Sequence, residues 1–298
     1  MPESSLLRKS DGFNKLYDAY QKTLLNWPVK YTSRTITSSE GETHIIESGH
    51  HNKNPLLLMH GMATNSLIWL KNIEQLSEHF HVYAIDNMFD GIGLSSPAIT
   101  AYKNRSSTRY INWVENIANE LKLDTFNIMG TSSGGWLSLY IGYHLQDRVS
   151  KICALNPAFG LVKPVKLQFS LKTLHLVTFP TKKNILNYFR YCSHPSCEDQ
   201  DDDTINLVHT ALKYQKPAMP INYHHFTDEE LTKINKPVFI TYGDNESAVN
   251  VHKALERAKK YIPDVQLKII ENAGHSLFFD QPANINKLCI DFLNEHHT

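Results

Sequence analysis

The segment Met129-Gly130-Thr131-Ser132-Ser133-Gly134-Gly135 joins an apolar run at 126–129 to a helix-like run at 134–145. A G-x-S-x-G sequence at a strand-to-helix turn can hold its serine in a strained backbone, hydroxyl raised above the sheet, if the residues two before and two after are small. Gly130 and Gly134 meet that condition around Ser132, whereas centring on Ser133 would put Thr131 and Gly135 there. A tight turn alone would also explain the glycines, but the strand before it and the helix after it make Ser132 the candidate nucleophile.

A serine hydroxyl attacks a carbonyl only when a neighbouring imidazole takes its proton. Of sixteen histidines, His275 stands in Asn272-Ala273-Gly274-His275-Ser276, just after an apolar run at 267–270. A loop off the C-terminal end of a strand shares the sheet edge expected for Ser132. A plain surface-loop histidine is the alternative, and the chain order serine, acid, histidine argues against it. The acid should follow the run at 238–242, where Gly243-Asp244-Asn245-Glu246 offers two carboxylates. Asp244 lies in the turn, where it can hydrogen-bond its own backbone. Glu246 lies further out with a longer reach, and is the expected acid. The preceding strand end, Leu155-Asn156-Pro157, has no carboxylate. Two backbone N–H groups should face a developing oxyanion. Ser133 supplies one, and Met62, after His60-Gly61, is expected to supply the other; His60 itself reads as a structural histidine.

The elements that must position these residues alternate. Strand-like runs fall at 35–37, 44–47, 56–59, 81–86, 126–129, 151–155, 238–242 and 266–270, and the later ones are apolar enough to belong mid-sheet. Amphipathic runs at 66–77, 108–121, 134–145, 251–261 and 283–294 read as crossover helices, with one more at 13–25 whose partner is not evident. The alternation predicts an α/β fold with a mostly parallel, eight-stranded sheet flanked by helices. It breaks once, at 157–235, a stretch rich in proline (Pro164, Pro180, Pro195, Pro217, Pro220) with an acidic run at 198–203 that reads as a solvated face. Phe159, Leu161, Phe169, Leu171, Leu174, Leu176, Val177 and Phe179 are too apolar for a tether. Residues 157–235 are therefore expected to form a helical cap on a core of 1–156 and 236–298, with Phe159 and Leu161 against the substrate.

Together the motifs resemble the α/β-hydrolase superfamily: a His-Gly loop at His60, an elbow at Gly130–Gly135, an acid turn at Gly243–Glu246 and a Gly-His at Gly274, in order and on four strand ends. Within it the chain is similar to bacterial carboxylesterases of the Bacillus type, in which Glu fills the acid position, and Trp69 also matches that pattern. One departure is Asp86-Asn87-Met88-Phe89-Asp90-Gly91-Ile92-Gly93-Leu94-Ser95, where the family's D-x-x-G-x-G-x-S is two residues longer. The resemblance implies a serine hydrolase acting on a small-molecule ester, with no cofactor and no metal. Serine at the elbow argues against the dehalogenase and epoxide-hydrolase branches. Thioesterase, C–C-bond hydrolase, aminopeptidase and cofactor-free haloperoxidase branches stay open, as does a non-catalytic ligand-binding homologue.

Composition narrows the classes further. Thirty Lys plus Arg against thirty Asp plus Glu provide no broad positive field for nucleic acid, and no apolar run is long enough to span a membrane. The first 13 residues lack an apolar signal core, so a cytoplasmic location is expected, with four reduced cysteines, Cys153 and Cys289 buried. Gly91-Ile92-Gly93 lacks the third glycine of a dinucleotide loop, and the Cys192, His194, Cys197 cluster lacks a fourth metal ligand. His50-His51, His224-His225 and His296-His297 read as surface residues.

Overall fold

A computed structural model describes residues 11–89, 91–98, 106–163, 166–214 and 222–295. The apolar runs become strands whose burial follows their composition. Val238–Gly243 is buried at every position and lies inside the sheet. The strands are β1 (Tyr31–Ser38), β2 (Gly41–Ser48), β3 (Pro55–Met59), β4 (His81–Ile85), β5 (Ser96–Pro97), β6 (Phe126–Thr131), β7 (Val149–Leu155), β8 (Val238–Gly243) and β9 (Val265–Ile270). They are ordered β1-β2-β4-β3-β6-β7-β8-β9, with β5 paired to β2. β1–β2 and β2–β4 pair antiparallel; from β4 to β9 the neighbours are parallel, so the site-bearing loops leave one edge.

All eight anticipated strands are present, and β5 is additional. β9 is an edge strand, not an interior one: Gln266 and Lys268 alternate outward to solvent, as a strand with one free side requires. The anticipated helix at 66–77 is broken into a 3-10 turn, Ser66–Lys71, and a helix, Ile73–His79. Asn72 sits at the break, its side-chain amide donating to Phe278 O (3.1 Å) and Asn286 Oδ1 (2.9 Å).

Between β7 and β8 the chain forms the helices Leu167–Thr178, Lys182–Cys192, Asp202–Tyr214 and Asp228–Thr232. The N-terminal helix Asp11–Leu24 lies against Asp202–Tyr214, with Lys22 Nζ 2.7 Å from Asp203 Oδ1. The acidic run is exposed at Glu198, Asp199, Asp201 and Asp202, as a solvated face requires, and makes local contacts there: Asp199 pairs with Arg190, and Asp201 Oδ1 accepts from Thr204 N. Phe169 and Leu176 are buried, but Leu171, Leu174 and Phe179 are exposed, so the apolar stretch is covered on one side only. His224 and His225 are half-buried, contrary to a surface placement: Glu230 is 2.9 Å from His224 Nε2, and Trp136 Nε1 donates to the His224 carbonyl. His296-His297, Pro164, Pro217 and Pro220 lie outside the described residues. The cysteines are all unpaired thiols, three of them buried. Cys197 Sγ faces the Asp280 carbonyl and His194 Nδ1 bonds Ser196 Oγ, which leaves no ligand set there. Among the described residues no helix is long and apolar enough to cross a membrane.

Asp86, at the end of β4, organises the lengthened loop. Its carboxylate accepts from Ser66 N (2.8 Å), Leu94 N (2.8 Å) and Tyr20 OH (3.3 Å), and lies 3.0 Å from His44 Nδ1. Ser95 Oγ donates to its carbonyl, and Asn87 Oδ1 accepts from Phe89 N, so Met88 and Phe89 turn within the motif. Burial alone would raise this carboxyl, but the His44 hydrogen bond and charge, His60 and the Ser66 N–H outweigh it and hold its pKa at about 2. A depressed carboxyl contributes stability that is complete above the usual carboxylate range and is lost as pH falls through that range toward 2. Asp86→Asn is expected to destabilise the protein by about 3 kcal/mol at neutral pH. It should also remove about 2 kcal/mol of the wild type's loss between pH 5 and 2, both read by denaturant unfolding.

Candidate active site

β6 ends at Thr131 and the helix Ser133–His144 begins at once, which leaves Ser132 alone to make the turn. It does so at φ 55° and ψ −118°, a left-handed region that costs a non-glycine residue roughly 1–3 kcal/mol. The close packing around it explains the flanking glycines. A Cβ on Gly130 would sit 2.2 Å from the Gly134 carbonyl oxygen, and one on Gly134 would sit 2.2 Å from that of Met59. Ser132 N donates to Leu155 O, and its own carbonyl accepts from Trp136 N and Ala158 N, which pins the turn to β7 and to the helix.

His275 follows β9 and brings Nε2 to 2.8 Å from Ser132 Oγ. Its Nδ1 lies 2.8 and 2.9 Å from the two Glu246 oxygens. Because a carboxylate only accepts, Nδ1 carries the proton and Nε2 presents its lone pair to the serine. Glu246 and His275 are each 6 % exposed, so little water competes for these bonds. Asp244 is not in this line; its oxygens accept from Asn272 N and Ala273 N and so hold the loop that carries His275. The arrangement can move a proton from the hydroxyl to the imidazole while the carboxylate stabilises the cation that forms.

Ser133 is the first residue of its helix, where the N–H has no intrahelical acceptor and the helix dipole favours negative charge. Gly61 passes close by, since a Cβ there would lie 3.2 Å from Ser132 Cβ, and Met62 lines the cavity in front of the serine. His60 supports that loop: Nε2 accepts from Asn87 N and Nδ1 donates to Gly61 O, both at 2.8 Å. Trp69 is fully buried, 5.6 Å from Phe278 between ring centres.

The cavity opening onto Ser132 and His275 lies between the core loops and the segment between β7 and β8. Phe169, Tyr188, Phe189, Leu207 and Val208 form one wall; Ile68, Leu70, Phe278 and Phe279 form another, and Lys71, Gln200, Asp201 and Thr204 are polar points in the lining. The Phe169 ring meets the His275 imidazole edge-on at 5.0 Å. Phe159 and Leu161 do not line this cavity. Phe159 stacks on Tyr223 at 3.9 Å, and Leu161 is buried in the core, because the chain between them turns away from Ser132 toward Phe226. The residues in their place come from helices later in the same segment, where an apolar side chain facing a cavity looks no different in sequence from one facing the core.

Asn156, at φ 43° just after β7, has no carboxylate to offer the histidine but carries an amide that spans the site. Its Nδ2 donates to Gly274 O (3.0 Å) and His275 O (2.7 Å), and its Oδ1 accepts from Gly243 N (3.0 Å). One buried amide thus ties the acid turn to the histidine loop.

This sheet order, elbow and hydrogen-bonded serine–histidine–glutamate line define an α/β-hydrolase. Residues 54–179 and 198–282 match the family described as having the alpha/beta hydrolase fold, and the chain belongs to it. It is 29% identical over 294 residues to the uncharacterized carboxylesterase nap of Bacillus subtilis, covering 98% of this chain and 96% of that one. Among solved structures it is similar to naproxen esterase (carboxylesterase NP) from Bacillus subtilis, with TM-score 0.87, 27% identity, and 96% and 99% of the two chains covered. Carboxylesterase CesB (YbfK) of the same organism gives TM-score 0.88 at 26% identity, covering 97% and 100%.

Asn156→Ala removes three buried hydrogen bonds at once. It is expected to cost about 3 kcal/mol in chemical denaturation. The amide exchange rates of Gly243, Gly274 and His275 should rise well beyond those of the β6 strand.

Proposed function

We propose that this protein is a carboxylesterase that cleaves carboxylic esters of small to medium acyl chains through an acyl-enzyme on Ser132. The chain is an ester-bond hydrolase by family and by its carboxylesterase relatives. The observation that carries the finer reading is the unbroken line of hydrogen bonds from Ser132 Oγ through His275 to Glu246.

Ser132 Oγ attacks the ester carbonyl carbon as its proton passes to His275 Nε2. The oxyanion is held by the N–H groups of Met62 and Ser133. His275 then gives the proton to the departing alkoxide, leaving an acyl-serine. Water, deprotonated by the same imidazole, attacks the acyl carbon, and the proton returns to Ser132 as the acid leaves. Glu246 keeps Nδ1 protonated and stabilises the imidazolium throughout. Residues 157–235 act as a cap on the remaining core, and the acyl chain lies along Phe169, Leu207 and Val208, where exclusion of water strengthens the oxyanion bonds.

Ser132→Ala should lower kcat for short-chain aryl esters by on the order of 10⁶ and abolish fluorophosphonate labelling, with the thermal transition preserved. Residual turnover above a few per cent would remove Ser132 from the role. Glu246→Gln should reduce kcat far more than Asp244→Asn, whose loss should show mainly in stability; the reverse order would exchange the two roles. Leu207→Trp should shift preference toward shorter acyl chains across an ester series run beside thioesters and amides, while Phe159→Ala should leave the profile unchanged. An unaltered profile in Leu207→Trp would place the acyl group elsewhere.

A further inference from the structure

We propose that Glu47, His50 and His81 form a binding site for one divalent transition-metal ion of the zinc type, at the end of the sheet opposite Ser132. β2 runs antiparallel to β4, so the end of β2 lies beside the start of β4, with Glu47 opposite Tyr83 and Ser48 opposite Val82. His81 opens β4, and Gly49, at φ 71°, turns the chain so that His50 comes back over the same spot. One ligand atom from each of the three residues lies within 4.8 Å of the others.

The carboxylate is held ready. Arg34 takes Glu47 Oε2 at 2.8 Å, which leaves Oε1 aimed between two imidazoles, 2.7 Å from His81 Nε2 and 3.6 Å from His50 Nε2. The second separation is too long for a hydrogen bond. A tetrahedral ion with bonds of about 2.0–2.1 Å keeps its ligands roughly 3.3 Å apart, so Glu47 Oε1 need move only about half an ångström relative to each ring, while the two imidazoles, within 4.8 Å of one another, would close by up to about 1.5 Å, which the exposed His50 side chain can supply. His81 Nδ1 has the Tyr83 hydroxyl at 3.3 Å, the outer contact that fixes a ligating ring. Thr32 Oγ1, 3.2 Å from His50 Nε2, is on the exposed β1 surface and can rotate away. Two imidazole nitrogens and one carboxylate oxygen suit Zn²⁺ and its neighbours, not the all-oxygen preference of Mg²⁺ or Ca²⁺. With His50 44% exposed, water can complete the shell. An ion there would staple the β1–β2 hairpin to the parallel body of the sheet. Hydrolysis should be indifferent to it, since Ser132 follows the other end of the parallel strands.

The test is calorimetric titration of ZnCl₂ into the full chain after chelator treatment, with thermal denaturation and ester turnover measured in parallel. One ion per chain, a raised Tm and unchanged turnover are expected in the wild type, with MgCl₂ giving neither heat nor a Tm shift. His50→Ala, at an exposed position that leaves the fold intact, should weaken binding roughly tenfold or more and cancel the Tm rise; Glu47→Gln should do the same. Absence of stoichiometric binding would overturn the proposal. So would equal binding in His50→Ala, which would assign the zinc to other histidines, or zinc inhibition of turnover that persists in that variant.

Discussion

The site depends on the absence of space between β6 and the helix that follows it. One residue must convert strand to helix while the helix lies against β3 closely enough that Gly134 meets the Met59 carbonyl. Ser132 is held in a left-handed backbone, and its hydroxyl can point only away from the helix, above the strand ends. Every partner must then come from the same edge of neighbouring strands. β3 supplies the Gly61-Met62 loop, β7 Asn156, β8 the Glu246 turn and β9 the His275 loop. The packing that strains the serine also places it at a helix start, where the dipole favours a developing negative charge.

Three carboxylates near this edge take different work because of their reach. Asp86 and Asp244 have short side chains set in turns, and each collects backbone N–H groups from a loop folded around it. Glu246, one methylene longer and two residues further out than Asp244, accepts from Ala248 N in its own turn and still spans to the imidazole. The length difference separates the carboxylate that shapes the histidine loop from the one that faces the histidine. Asp86 acts further away, through a loop in which Asn87 N donates to His60 and so orients the Gly61 carbonyl.

What could be read from the sequence was whatever local geometry dictates. The elbow glycines, the acid turn and the Gly-His loop are each demanded by a few consecutive residues, and strands buried on both faces announce themselves as apolar runs. Long-range dependencies left no such mark. The break at Asn72 is set by Phe278 and Asn286, more than 200 residues away, and a regular apolar period hides it. The half-burial of His224 follows from Trp136 and Glu230 closing over it. Phe159 and Leu161 are apolar and near the site in sequence, whereas Leu207 and Val208 reach the cavity only because the helix Asp202–Tyr214 packs against the N-terminal helix and the helix Lys182–Cys192.

The helix Leu167–Thr178 shows why composition could not separate cover from surface. Leu167, Leu171 and Leu174 are exposed on one side, while Phe169 and Leu176 are buried on the other, so an apolar run was not evidence that all of it is covered. Its inner side does two things at once. Phe169 rests on the His275 ring, and just before it Lys166 N donates to the Ala248 carbonyl while Lys166 Nζ donates to the Glu246 carbonyl. The segment that closes over the imidazole is thereby fastened to the turn that carries the acid. Ala248 N in turn donates to Glu246 Oε1, so the carboxylate is fixed from its own turn and from the segment above it. Moving this helix would expose His275 to water and loosen Glu246 together, which makes water exclusion and alignment of the base a single structural property.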